Sequence, residues 1–163
     1  MSFVTAALVL SLGQLTSDVY TDVLRDTEEY RSAKGLFELA KNDTGIREQI
    51  NELYADKFQD EIIDNITNLN SVVLTDEALI YDYKVYSNWD IDPEMNVSVD
   101  RVIDKTGLDT YKQLANKKAI EAVCQNTKML GVLDAGFYVE YRHYDHQRRQ
   151  LARVKVKECS PIK

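Results

Sequence analysis

The sequence predicts an α+β domain: N-terminal helices, then a mostly antiparallel sheet of three or four strands with one helix packed on it. Three observations carry this. Ile46, Ile50, Leu53, Phe58, Ile62, Ile66 and Leu69 recur at steps of three, four and five, an apolar stripe at helical spacing. Leu79, Tyr81, Tyr83 and Val85 alternate with Ile80, Asp82, Lys84 and Tyr86, the period of a strand. Phe137 to Glu158 reads as two alternating strands about a polar turn.

In chain order, Ser17 or Asp18 is a candidate N-cap for a charged helix running to about Lys41, with Gly35 its weakest point. Asn42-Asp43-Thr44-Gly45 marks a turn or cap. The striped helix then extends from Ile46 to about Asn68, with Asp56, Asp60, Glu61 and Asp64 mostly off the stripe. Ser71–Leu74 is a short β-prone run. Ser87–Glu94 is a loop holding the sole Trp, and Asn96–Val102 is a candidate short strand. Leu108–Asn126 is helical, with Tyr111, Leu114, Ala115, Ala119 and Val123 among its apolar positions. A helical turn covers Lys128–Leu133, and Gly136 suits a C-cap. In the final hairpin Phe137, Val139, Tyr141 and His143 share one face. Asp145–Arg149 turns the chain, and Arg153, Lys155 and Lys157 form an outward row. No repeat, low-complexity stretch or Pro/Gly linker divides the 163 residues. They read as one domain, with a helical segment over 1–44 and an α+β core over 45–163.

Composition narrows the function. Apolar residues are 44% and charged residues 29%, a globular balance. The net charge of −7 opposes nucleic acid and anionic lipid, so neither is an expected partner. The C-terminal end departs from this. Arg142, Arg148, Arg149, Arg153, Lys155, Lys157 and Lys163 face only Asp145 and Glu158. That run is either a solvated hairpin or a docking surface for an acidic protein partner, with Arg142, Arg153, Lys155 and Lys157 as its candidate residues.

Two cysteines, Cys124 and Cys159, are either free buried thiols or one disulfide closing a loop of about 35 residues. A bridge would favour an oxidising compartment. Phe3–Leu12 is apolar with no preceding Lys or Arg, and too short to span a bilayer. It reads as a buried first helix, a trimmed signal or anchor, or an interface helix. Membrane association is expected only through this segment.

Chemistry-bearing patterns are sparse. There is no Gly-x-Ser-x-Gly elbow, and six scattered glycines make no phosphate cradle. No catalytic residue, cofactor or metal is predicted. Glu140–His146 is the richest cluster, and His143, Asp145 and His146 would suit a metal or acid–base site if they converged. At a hairpin tip the plainer reading is two surface histidines. Asp56, Asp60, Glu61 and Asp64 read as a solvated helix face rather than paired acid–base carboxylates. Asp90, Asp92 and Glu94 open like a calcium loop, but Pro93 intervenes and the glycine is missing. The Asn-x-Ser/Thr sequons at Asn42, Asn65 and Asn96 read as chance.

The second half resembles a small, poorly characterised domain type of bacterial envelope proteins. The likeness rests on Ala78-Leu-Ile-Tyr-Asp-Tyr-Lys-Val-Tyr86 and on a helix ending Ala122-Val-Cys124. It continues through Leu130-Gly-Val-Leu-Asp-Ala-Gly-Phe-Tyr-Val-Glu-Tyr-Arg-His-Tyr144 and a last strand ending Glu158-Cys159. It covers roughly residues 50–160. It implies a Cys124–Cys159 disulfide and carries over no catalytic residue. The expected function is a non-enzymatic protein-binding or assembly module of the periplasm or cell envelope. Two alternatives stand beside it. One is a cytoplasmic regulator or inhibitor, phage-encoded for instance, acting by protein binding. The other is a metal-dependent hydrolase around His143 and His146.

Overall fold

Thr27 divides the charged N-terminal stretch in two. Its Oγ1 accepts from Tyr30 N at 3.2 Å and donates to Leu24 O at 2.7 Å. That closes α1 (Ser17–Arg25) and caps α2 (Glu28–Asn42), where the sequence predicts one unbroken helix. The structure, a computed structural model, describes residues 17–63, 67–85 and 107–159. The apolar Phe3–Leu12 segment, Asp64, Asn65, the tryptophan loop, the Asn96–Val102 strand and the Asn96 sequon lie outside the described residues.

Asp43 follows α2 and caps α3 (Thr44–Phe58), its Oδ1 accepting from Ile46 N at 3.2 Å. The helix ends at Phe58, ten residues before the predicted end at Asn68. Gln59 is extended and Asp60 takes a positive φ of 53°, so the chain turns into β1 (Glu61–Ile62) and β2 (Thr67–Leu74). Ile46, Ile50, Tyr54 and Phe58 face the core at four-residue steps. Leu53 is 67% exposed, so the apparent stripe joined one helix to strands of a different period. Of the carboxylates predicted to share one helix, Asp56 lies in α3, Asp60 in the turn and Glu61 in β1.

Among the described residues the remaining elements are β3 (Ala78–Val85), α4 (Leu108–Cys124), α5 (Thr127–Asp134), β4 (Tyr138–Asp145) and β5 (Gln150–Val156). The five strands form one sheet in the order β1-β2-β3-β4-β5, one strand larger than predicted. All neighbours are antiparallel except β3 and β4, which run parallel from Ala78 opposite Tyr138 to Val85 opposite Asp145. The parallel pair needs a long crossover, and α4 and α5 lie within it. α5 ends at Asp134 with Ala135 as its C-cap, and Gly136 follows at φ 95°, donating to Leu133 O at 2.9 Å.

The helices cover one face of the sheet. Leu69, Val72, Leu74, Leu79, Val139, Val154 and Val156 meet Phe37, Ala40, Ile50, Ala115, Ala119 and Val123 in the core. α3 packs on β2, and α4 packs on β5. Asn51 ties α3 to β2 by exchanging two hydrogen bonds with the Leu74 backbone, at 2.7 and 2.9 Å. α5 lies against α2 at Gly131, where a Cβ would stand 2.7 Å from Lys34 N. The central strands β3 and β4 therefore run under the space between α3 and α4.

Candidate functional site

Cys124 ends α4 and Cys159 lies just beyond β5. Their sulfurs are bonded at 2.07 Å with a Cα separation of 5.6 Å. The disulfide implied by the resemblance is present, and it fastens the end of α4 to the C-terminal side of the edge strand. Among the described residues there is no free cysteine.

The two faces of the sheet carry different chemistry. On the face away from the helices, Glu140 lies opposite Lys155 and Arg142 lies opposite Arg153. Glu140 is fully buried. Its Oε1 accepts from Arg142 Nε at 2.5 Å and from Arg153 Nε at 2.6 Å, and Lys155 Nζ lies 3.7 Å from Oε2. Burial alone would raise the carboxyl pKa, but the hydrogen bonds from Arg153 and Arg142 outweigh it and hold Glu140 below the ordinary range. Three cations surround Glu140, and Asp82 lies beside Arg142 across the parallel pair, so the face keeps a surplus of about one positive charge on a protein whose net charge is −7. Both guanidinium groups are pinned through Nε, and among the described residues their Nη atoms make no hydrogen bond. Lys155 Nζ also sits 4.9 Å from the Tyr138 ring centroid.

The predicted basic row is thus a knot rather than a line. Arg142, Arg153 and Lys155 converge on Glu140. Lys157 stands apart, exposed, beside Lys41, Glu77 and Tyr138 along a separate hollow. The buried acid was missed because it sits on the polar side of an alternating strand. Only the cross-strand register reveals it.

The face under the helices is aromatic. Tyr81 and Tyr141 lie side by side across the parallel pair with ring centroids 5.1 Å apart, and Tyr83 lies 6.2 Å from Tyr141. His143 stands 5.2 Å from the Tyr83 ring, and its Nδ1 shares a 2.8 Å hydrogen bond with Tyr111 Oη. The expectation of a surface histidine at a wet hairpin tip is corrected here. His143 lies two residues inside the strand end, under α4, and burial lowers its pKa to about 4. Burial raises Tyr83 to about 12 and Tyr141 further still.

Asp145 does not join His143. It is buried as the clamp of the turn, its Oδ1 accepting from Gln147 N at 2.9 Å and Arg149 N at 2.8 Å, with Arg149 Nε on Oδ2. Burial opposes ionisation, yet the Arg149 and Gln147 hydrogen bonds hold its pKa low. His146 lies in that turn and lines a cavity of about 470 Å³ with Asp82, Lys84, Tyr144 and Arg148. Among the described residues, no group of three His, Cys, Asp or Glu side chains is arranged to hold a metal.

No protein-family model and no curated protein matches the chain. Among solved structures it is similar to a "putative secreted protein" of Pseudomonas aeruginosa, at 11% identity and a TM-score of 0.53, covering 82% of this chain and 98% of that one. The likeness is one of fold alone, and it places this chain among small α+β domains. Among the described residues no helix is long and apolar enough to cross a membrane.

Proposed function

We propose that the chain is a non-enzymatic binding module of the bacterial cell envelope. It docks an acidic segment of a protein partner on the open sheet face through Arg142, Arg153 and Lys155. The observation that carries this is the Glu140 knot. Arg142 and Arg153 are direct cross-strand neighbours, an arrangement of like charges that costs stability unless something compensates it. Glu140 holds both guanidinium groups through Nε, and although Asp82 lies beside Arg142, their Nη atoms remain for an incoming carboxylate, the geometry that carboxylate recognition uses. A protein partner suits the site better than a membrane, because the body's negative charge repels anionic lipid. The disulfide and the fold shared with a protein described as secreted support an oxidising compartment.

Crosslinking in the native host tests the docking surface. The double variant Arg142→Gln/Arg153→Gln is expected to lose the crosslinked partner, whereas Lys157→Gln retains it. Equal capture by both variants would sink the surface. A thiol count on denatured, unreduced protein from the host tests the compartment. Zero free thiols is the expected result. Two free thiols would favour the cytoplasmic regulator instead.

A further inference from the structure

The aromatic face holds a second feature that the docking surface does not use. Over β3 and β4 lies a cleft of about 390 Å³. Tyr83, Val85, Tyr141 and His143 form its floor. Tyr111, Leu114, Ala115, Ala119 and Ala122 of α4 form one wall, and Ile63 after β1 and Thr67 at the start of β2 line the other. Its size falls within the range of small-molecule sites, and its surface is mostly apolar with a few converging polar groups. Two lip residues, Leu114 and Ile63, are 52% and 50% exposed. They are large apolar groups held in water at the mouth of an apolar space.

The polar groups inside are specific. Tyr83 and Tyr141 both line the cleft, and among the described residues their hydroxyls have no hydrogen-bond partner, although each ring is packed against its neighbours. His143 offers Nε2 while Nδ1 is engaged by Tyr111. None of these groups carries charge near neutral pH: a phenol is neutral there in any setting, and burial holds the imidazole in its neutral form. Lys118 is the one cation among the described lining residues; it is exposed and stands on the α4 wall in line with Leu114 and Ala122, above the floor. An anion entering the floor would exchange water for neutral dipoles, and the Glu61 carboxylate near Tyr83 would repel it. A carbonyl or hydroxyl oxygen would meet phenol donors at no such cost.

We propose that this cleft binds a small, uncharged lipophilic molecule whose carbonyl or hydroxyl oxygen accepts hydrogen bonds from Tyr83 and Tyr141. The site is separate from the Glu140 knot, on the opposite face of the sheet, so the two can be occupied independently.

The test uses two fluorophores that share a ring system. N-phenyl-1-naphthylamine is neutral, and 8-anilinonaphthalene-1-sulfonate carries a sulfonate. The neutral probe is expected to bind the intact, oxidised protein saturably at one site, and at least tenfold more tightly than the sulfonate. Ala122→Phe, at an exposed lining position, should weaken it about tenfold by filling the space. Leu114→Ala on the lip should weaken it several-fold, and thermal unfolding of both variants verifies that they are folded. Methyl decanoate should displace the probe. The double variant Tyr83→Phe/Tyr141→Phe should raise the ester concentration required about tenfold, one or two hydrogen bonds' worth. No saturable binding of the neutral probe would overturn the proposal. Tighter, Lys118-dependent binding of the sulfonate would overturn the uncharged class. Unaltered binding in folded Ala122→Phe would show that the probe sits elsewhere, and would also overturn it.

Discussion

The two faces of this sheet are built from the same strands by alternation, yet they solve the problem of buried polarity in opposite ways. On the open face the solution is charge compensation. Glu140 is fully buried and remains ionised because Arg142 and Arg153 donate to it. Under the helices the solution is neutrality. Tyr83 and Tyr141 are phenols, neutral near pH 7, burial keeps His143 uncharged, and Tyr111 takes one nitrogen of the imidazole. A side chain one position along a strand passes from one regime to the other. Tyr141 and Arg142 are chain neighbours, and nothing but the pleat separates their environments.

Removing the compensating charge should be the most damaging change. Glu140→Ala leaves Arg142, Arg153 and Lys155 facing one another across a strand pair. The loss is expected to be about 3 kcal/mol, at the low end for a broken buried ion pair because the cations are partly solvated. Denaturant unfolding of the variant measures it. A loss below about 1 kcal/mol would mean that the knot is surface decoration.

Acid should attack the two faces in sequence. His143 has a folded pKa of about 4 against an ordinary value of 6.5, so its contribution is complete above pH 6.5 and is lost as pH falls toward 4. The loss over that window amounts to roughly 2–3 kcal/mol. Glu140 is depressed below its ordinary value of 4.5, so its contribution is complete above that value and is lost as pH falls below it, after most of the His143 loss. Stability measured from pH 7 to 3 should therefore fall in two stages, and His143→Gln should abolish the first stage alone. A single transition near pH 4 in both proteins would remove the distinction between the faces.

Smaller changes sharpen the comparison. Tyr111→Phe removes the hydroxyl on His143 and should cost about 1 kcal/mol while raising the imidazole's capacity to titrate, read by its NMR titration curve. Lys157→Gln, the basic residue outside the knot, should alter stability by less than about 0.5 kcal/mol in the same denaturant assay.

The strands around Tyr81 and Val139 were legible because their period is strict and one face is apolar throughout. The single helix from Ile46 to Asn68 was not legible as a helix and two strands. Ile62, Ile66 and Leu69 continued the spacing by coincidence, and the step of five from Leu53 to Phe58 was the visible fault. The parallel pairing of β3 with β4 had a signal in the strand–helix–strand order, which implies a crossover. The Glu140 knot had none. Its members are nearly a turn of hairpin apart in sequence, and the register shift between His143 and Tyr144 decides which residues meet. His143 was misplaced for a related reason. Its distance from the turn said exposed, while its parity with Val139 and Tyr141 said covered, and α4 settled it.

The disulfide has a topological consequence. The covalent ring it closes, from Cys124 to Cys159, contains α5 and the whole β4–β5 hairpin. The exposed turn at Arg148–Arg149 is part of that ring. A protease that cuts there opens the ring without dividing the molecule. The severed β5 remains tethered through Cys159 to the end of α4 while it stays paired to β4. A nicked chain would therefore migrate as one species until it is reduced.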